Sequence, residues 1–222
     1  MKVHFGFFLL IFVFISQAQI SDFKDVDFTK ANNTAKRNHG RSLKNLPLLV
    51  HHLTSNLDTD VEKFRSIYLW VCQNIDGDAS QHKKVYKQRK KLSGDNDRYL
   101  EWNNDFKIEA FEILKKRKKT MCTGYAYLIK ELCFIADIKC EIIDGYGRSF
   151  DRNVEALEMV NHSWNAVKLD NRWYLCDPTW SSGFMVNGDL FVRNYNNGYF
   201  LTEPELFAKS NPAALFESFT AA

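Results

Sequence analysis

The hydrophobic pattern of this chain changes its period near residue 138, and that change limits the possible folds more than any other feature. Ahead of it, apolar residues recur at helical spacing, most clearly in residues 59–75, where Thr59 and Glu62 also form a capping box. Behind it, apolar and polar residues alternate as they do in half-buried strands. Helices that precede an antiparallel sheet predict an α+β fold, which we place in a single domain over residues 43–222.

The segments that carry these patterns are separated by polar stretches. The predicted helices span residues 44–53, 59–75, 106–118, 123–137 and 203–210. The predicted strands span residues 139–148, 162–169, 172–180 and 189–202. Residues 76–101 are polar, basic and short of core residues, which predicts a long surface excursion on the substrate side. Residues 19–42 are polar and weakly patterned, which predicts an irregular lead-in.

Residues 1–18 have the layout of a secretory signal peptide, with one Lys, an apolar run and a small-residue site that predicts cleavage after Ala18. The apolar run is shorter than the roughly 20 residues of a transmembrane helix, so no membrane span is expected in the mature chain. Export is expected to the periplasm, the cell surface or the medium. The basic runs at 82–91 and 115–119 are therefore interpreted as solvated surface, and no nucleic-acid partner is expected.

The chain contains five cysteines, an odd number for a protein expected in an oxidising compartment. They are Cys72, Cys122, Cys133, Cys140 and Cys176. No C-x-x-C pair and no Cys/His cluster with zinc spacing occurs, so no metal site is predicted. At most two internal disulfides are possible. Cys122 is the cysteine expected to stay reduced, and any disulfides are expected among the other four.

Cys122 stands directly before the helix predicted over residues 123–137. Backbone N–H groups and the dipole at a helix start stabilise an anion, which lowers the pKa of a thiol and makes it a better nucleophile. Taken alone, a cysteine in such a place is more often structural or disulfide-bonded. His162 and Asp177 are equally ordinary alone, the first as a strand histidine and the second as a turn residue before proline.

The predicted hairpin brings His162 and Asp177 together. If the Asp-Asn dipeptide at 170–171 forms a two-residue turn, Trp164 lies opposite Asp177. His162 is then a diagonal neighbour of Asp177 on the same face, at a backbone separation of roughly 7–8 Å that a His–carboxylate hydrogen bond can bridge. With Cys122 this makes a Cys-His-Asp triad, in which the base takes the thiol proton and the acid orients the base.

Three blocks of the sequence resemble the transglutaminase-like superfamily, in particular bacterial members related to the kyphoscoliosis-type peptidases. The blocks are MCTGYAYLIKELCFIADIKCEIIDGYGR, NHSWNAVKLDNRWYLCDPTW and YFLTEPELF. The resemblance covers residues 61–207 and implies a papain-like α+β fold with Cys122 as nucleophile, His162 as base and Asp177 as orienting acid. It also implies hydrolysis or acyl transfer at amide bonds of a protein or peptide through a thioester acyl-enzyme, without a metal or other cofactor.

The groups that would stabilise the developing oxyanion are less clearly marked in the sequence. The backbone N–H of Cys122 is the natural first donor. Candidates for a second, side-chain donor are Trp102, Gln73 and Asn74. Candidates for the walls of the cleft, or for packing beneath it, are Trp164, Trp180, Tyr125 and Tyr146.

Three interpretations of the sequence stay open. The domain is either an active thiol enzyme or a transglutaminase-like binding and scaffolding domain without activity. A third reading, a disulfide-stapled structural protein, requires Cys122 to be oxidised to Cys133 or Cys140. The sequence identifies neither the substrate nor the oligomeric state, and it leaves open whether water or an amine accepts the acyl group.

Overall fold

A computed structural model describes residues 20–147, 161–202 and Phe207. The predicted signal segment and all of the predicted helix 203–210 except Phe207 lie outside these residues, so export stays a prediction from the sequence. Within the described residues, no helix is both long enough and apolar enough to cross a membrane.

Helices and antiparallel strands share the described chain, which confirms the predicted α+β class. The helices are α1 (Thr29–Arg37), α2 (Leu46–Thr54), α3 (Asp60–Asn74), α4 (Ala79–Lys91), α5 (Asn96–Arg117), α6 (Cys122–Ile135) and α7 (Pro178–Ser182). The strands are β1 (Asp76–Gly77), β2 (Lys119–Thr120), β3 (Cys140–Gly145), β4 (His162–Leu169), β5 (Arg172–Cys176), β6 (Gly183–Val186) and β7 (Leu190–Arg193). Two 3₁₀ turns, Ile20–Phe23 and Asn197–Tyr199, flank this set.

Helix α3 is the centre of the main core. It begins with the predicted capping box, in which the Thr59 side chain accepts from the Glu62 backbone and the Glu62 carboxylate accepts from the Thr59 backbone. Helices α1, α2, α6 and α7 all contact it, so it is buried nearly all round rather than on one face. Its fully buried side chains include Phe64, Ile67, Tyr68, Trp70 and Val71.

Two polar segments are helical where the sequence predicts irregular structure. Residues 79–91 form α4, and residues 96–101 form the first turns of α5, which corrects the predicted surface excursion. Side-chain caps begin both helices, since Asp78 accepts from the Gln81 backbone and Asp95 from the Arg98 backbone. The predicted lead-in contains α1, which buries Ala31 and Ala35. Short alanines produce only a weak hydrophobic pattern, although they allow α1 to pack closely on α3.

The main sheet has the order β3-β4-β5 and is antiparallel throughout. Asp170 and Asn171 both have positive φ, 46° and 63°, as a two-residue hairpin turn requires. Leu169 pairs with Arg172 and Asn165 with Cys176, which is the predicted register. Helix α6 covers one side of β3 and β4.

The predicted strands at 172–180 and 189–202 are shorter in the structure. Strand β5 ends at Cys176 because Asp177 caps α7 and Pro178 has no N–H to donate to a strand neighbour. Of residues 189–202, only Leu190–Arg193 form a strand, which pairs with β6 in a separate hairpin. The residues after β7 pack against α3 instead.

Arg65 joins this last segment to the core. Its side chain is 8% exposed and donates to Asn32 and Tyr195 at 2.8 and 3.1 Å and also to Asn197, and its guanidinium lies 4.6 Å from the Phe200 ring centre. No carboxylate lies within ion-pair distance of it in the described part of the chain. Neutral oxygens and aromatic faces therefore solvate this buried cation.

We expect Arg65→Lys to lower the free energy of unfolding by about 2 kcal/mol, because an ammonium group cannot match the planar fork that reaches three acceptors. Denaturant unfolding followed by circular dichroism measures this change. The matched control is Arg98→Lys, since the Arg98 side chain is 74% exposed and its partner Asp95 is three residues away. Equal stability loss in the two variants would contradict the role given to Arg65.

Candidate active site

Cys122 is the first residue of α6 and is 8% exposed. The preceding Met121 has an extended backbone and supplies no side-chain cap to the helix. Gly124 lets the helix start pack on β2, because a Cβ atom there would lie 1.9 Å from the Thr120 hydroxyl oxygen. The thiol is thus held at a helix start whose first N–H groups are not capped by a side chain of Met121.

Asp177 serves two partners at once. Its Oδ1 accepts from the Thr179 and Trp180 backbone N–H groups, at 2.9 and 3.1 Å, as the N-cap of α7. Its Oδ2 lies 2.6 Å from the Nε2 of His162. The backbone N–H of Asp177 donates to the Tyr199 carbonyl at 3.0 Å. The carboxylate is fully buried and therefore has little freedom to turn away from the imidazole.

His162 begins β4 and is 8% exposed. Its ring stacks on Trp180, with centres 4.9 Å apart and planes at 20°. Gly147 packs closely against the His162 side chain, because a Cβ atom at Gly147 would lie 2.9 Å from the His162 Cβ. Since Nε2 is occupied by Asp177, Nδ1 is the nitrogen left for the hydrogen bond between His162 and the Cys122 thiol.

The three groups change one another's acidity. Burial by itself raises the pKa of Cys122, but the hydrogen bond and charge of His162, with smaller contributions from the Ser163 backbone and Arg89, bring it below the ordinary value. Burial by itself lowers the pKa of His162, but the charge and hydrogen bond of Asp177 raise it to about 10. Both shifts favour the thiolate–imidazolium form of the pair over the neutral form.

The other four cysteines lie in different surroundings. All five thiols are free in this structure, and all five are buried. Burial raises the pKa of Cys72, Cys133 and Cys176 above the ordinary thiol value. Within the described ranges, no group of three or more His, Cys, Asp or Glu side chains is placed to hold a metal ion.

A cleft of about 630 Å³ opens over the Cys122–His162 pair. Helices α4 and α5 form one wall, and α6 with the edge of the main sheet forms the other. Apolar side chains line much of it, namely Val85, Phe106, Phe111, Met121, Tyr127 and Ile142. Polar and charged groups in the lining are Arg89, Asn103, Lys107, Glu112, Asp144 and Asn161. Such a mixed lining suits a ligand with both apolar and polar parts.

None of the predicted donors and cleft residues outside the triad lines this cleft. Tyr125 is buried in the core and donates to the Ile75 carbonyl at 2.8 Å, and Trp164 packs on Phe207 beneath the sheet. Trp102 stacks on Phe106, behind the cleft wall. Gln73 and Asn74 end α3, away from the cleft lining.

Several residues that line the cleft are not identified from the sequence. Arg89 lies in the segment predicted as an excursion, although Val85 and Arg89 stand one helical turn apart, which is a signal for a shared face. Asp144 and Ser163 are directly opposite each other on β3 and β4. Pairing β3 with β4 from the sequence alone requires the connection over 148–160, whose length leaves the register open.

Comparison with known proteins shows the family to which this chain belongs. Residues 48–178 match the family model of the transglutaminase-like superfamily. The chain belongs to this superfamily. It is 30% identical over 195 residues, 86% of its length, to kyphoscoliosis peptidase of Homo sapiens, and 31% identical over 166 residues, 73% of its length, to that of Mus musculus.

The chain spans about a quarter of these two relatives, 26% of the human protein and 22% of the mouse protein. A crystal structure described as that of a TGase aligns with a TM-score of 0.40 and 17% sequence identity. That alignment covers 78% of this chain and 37% of the other.

The pH dependence of thiol alkylation tests the ion pair. We expect the rate of Cys122 alkylation by iodoacetamide to rise with pH through a midpoint below that of an ordinary thiol, because the thiolate is the reacting form. In His162→Gln the midpoint should rise above that of wild type, since only the smaller contributions of the Ser163 backbone and Arg89 then oppose the effect of burial on the thiol pKa. Cys122→Ala gives the background from the other four thiols. Identical midpoints in wild type and His162→Gln would contradict the pairing.

Asp177→Asn separates the charge of this residue from its capping role. Asparagine is also a good N-cap, so the start of α7 should be kept while the charge beside His162 is lost. The loss of charge should lower the His162 pKa and slow Cys122 alkylation at pH 6 by about tenfold or more. Asp177→Ala, which also loses the cap, should in addition lose about 1 kcal/mol of stability. Unchanged alkylation in Asp177→Asn would show that the carboxylate charge does not act on the thiol.

Proposed function

We propose that this chain is a thiol enzyme that breaks amide bonds of a protein or peptide through a thioester on Cys122. His162 moves the proton and Asp177 orients His162. The observation that carries the proposal is the buried Asp177–His162 hydrogen bond at an open cleft that His162 lines together with the Cys122 thiol, whose pKa His162 lowers. Membership of the transglutaminase-like superfamily supports the same chemistry.

The first half of the reaction forms the acyl-enzyme. The Cys122 thiolate attacks the amide carbonyl carbon, and the new C–S bond places negative charge on the oxygen. The N–H groups at the start of α6 that no side chain caps are suited to donate hydrogen bonds to that oxygen. The C–N bond then breaks as the His162 imidazolium gives its proton to the departing nitrogen, which leaves as an amine.

The second half returns the enzyme to its starting state. Water or an amine attacks the thioester carbonyl while neutral His162 takes a proton from the attacking atom. The C–S bond breaks, and the electron pair returns to sulfur as the thiolate. The products are a carboxylic acid in hydrolysis or a new amide in acyl transfer. The name of the two relatives, kyphoscoliosis peptidase, favours hydrolysis.

Asp177 has the geometry of an orienting group in this scheme. It accepts at the nitrogen of His162 that faces away from the thiol, so it fixes which nitrogen carries the mobile proton. Trp180 covers the ring face, which keeps the imidazole in one plane and restricts access by water.

Intact-mass measurement with a peptide library tests the proposal. We expect wild-type protein to gain the mass of an acyl group from a subset of peptides, because the thioester forms before it is released. Cys122→Ala should gain none. Cys133→Ala, on the same helix but buried in the core, is the control and should behave like wild type. If iodoacetamide labels Cys122 of the wild type while no peptide acylates the protein or is hydrolysed by it, that result would favour the scaffolding domain instead.

A further inference from the structure

The sheet side of the cleft carries a carboxylate that the reaction does not use. Asp144, near the end of β3, is exposed and lines the same cleft as Cys122 and His162. It pairs across the strands with Ser163, whose hydroxyl donates to its Oδ1 at 2.5 Å. Ser163 is the neighbour of His162, and its backbone helps to lower the pKa of the Cys122 thiol. Asp144 thus lies beside the residues that surround the reacting sulfur.

Asp144 has no cation partner among the residues that the structure describes. Across the described ranges, no Lys, Arg or His nitrogen lies within 4 Å of its carboxylate. The other carboxylate of the cleft, Glu112, already pairs with Lys115 at 2.5 Å. A carboxylate that is exposed in the cleft, and that has no cation partner among the described residues, is accessible to a cationic group of a ligand.

The cations of the cleft stand on the opposite wall. Arg89 donates to the Tyr99 hydroxyl at 3.1 Å and lies over the Tyr99 ring, and Lys107 donates to Asn104 at 3.3 Å. Neither side chain is paired with Asp144. The cleft is therefore negative on the sheet side and positive on the helix side.

Apolar side chains line the cleft together with Asp144. Ile142 stands two residues earlier on the same strand, so its side chain shares the face of Asp144, and Tyr127 and Phe111 line the cleft from α6 and α5. A long aliphatic stem that ends in a cation would cover this surface and place its charge at the free oxygen of Asp144.

We propose that Asp144 is a specificity-determining residue that selects substrates with a lysine or arginine side chain beside the reacting carbonyl. This inference rests on the proposed function, because it concerns the substrate of the Cys122 site. The free carboxylate oxygen binds the cationic head while the apolar wall contacts the stem. Ser163 fixes the other oxygen, so the carboxylate is oriented before the substrate arrives.

Protection of Cys122 from iodoacetamide tests this recognition. The probes are n-butylguanidinium, an arginine-like cation that does not act as an acyl acceptor, and N-butylurea, its neutral counterpart. We expect the cation to protect wild type at about fivefold lower concentration than the urea, which is the scale of one partly exposed ion pair. In Asp144→Asn the two probes should protect equally. Asp144→Glu should restore part of the preference.

Glu112→Gln is the matched control, because it removes a carboxylate from the same cleft that already has a partner. It should keep the wild-type preference for the cation. A preference that persists in Asp144→Asn, or that Glu112→Gln removes equally, would overturn the assignment. A role limited to orienting Ser163 would change the alkylation rate without changing the ratio between the two probes, and that result would overturn it as well.

Direct binding separates this inference from the proposed function. Ligand-observed NMR of the two probes with wild type and Asp144→Asn does not depend on thiol reactivity. If iodoacetamide fails to label Cys122 but the cation binds wild type about fivefold better than Asp144→Asn, the proposed function fails and the recognition stands. If a peptide acylates Cys122 but binding of the cation does not depend on Asp144, the recognition fails and the proposed function stands.

Discussion

The bond between Asp177 and His162 is the interaction on which the rest of this structure depends. One carboxylate both begins α7 and holds the imidazole, so the end of β5, the start of α7 and the position of His162 are fixed together. The turn at Tyr199 accepts the Asp177 N–H, and Arg65 holds that turn against α3. A residue far from the cleft thereby contributes to the geometry of the site.

Low exposure has opposite effects on the cysteines of this chain. In the core, burial is the largest influence on thiols such as Cys72 and Cys176, and it raises their pKa. At Cys122 the same burial weakens competition from water, so the charge of His162 acts more strongly on the thiol. The difference lies in the partner, since only Cys122 shares a hydrogen bond with an imidazole that a buried carboxylate keeps cationic.

The sequence predicts the parts of this structure that local rules determine. The capping box of α3 and the hairpin turn at 170–171 depend on residues close in the chain, and both have the predicted form. Helix α4 did not follow from the pattern, because only Val85 and Gln81 are buried and the rest of the helix is polar. Tyr125 was a candidate for the cleft, but a helix start does not reveal which side faces the core, and tertiary packing directs that ring to the Ile75 carbonyl. The pairing of Asp144 with Ser163 spans a long connection and is visible only in the fold.

The central claim is that His162 is an imidazolium at neutral pH because Asp177 and the Cys122 thiolate both stabilise its charge. Nitrogen-15 NMR of the His162 side chain measures this directly across a pH series. Both ring nitrogens should carry protons at pH 7, and the imidazolium should titrate near pH 10. A neutral His162 ring at pH 7, with a protonated Cys122 thiol beside it, would contradict the account.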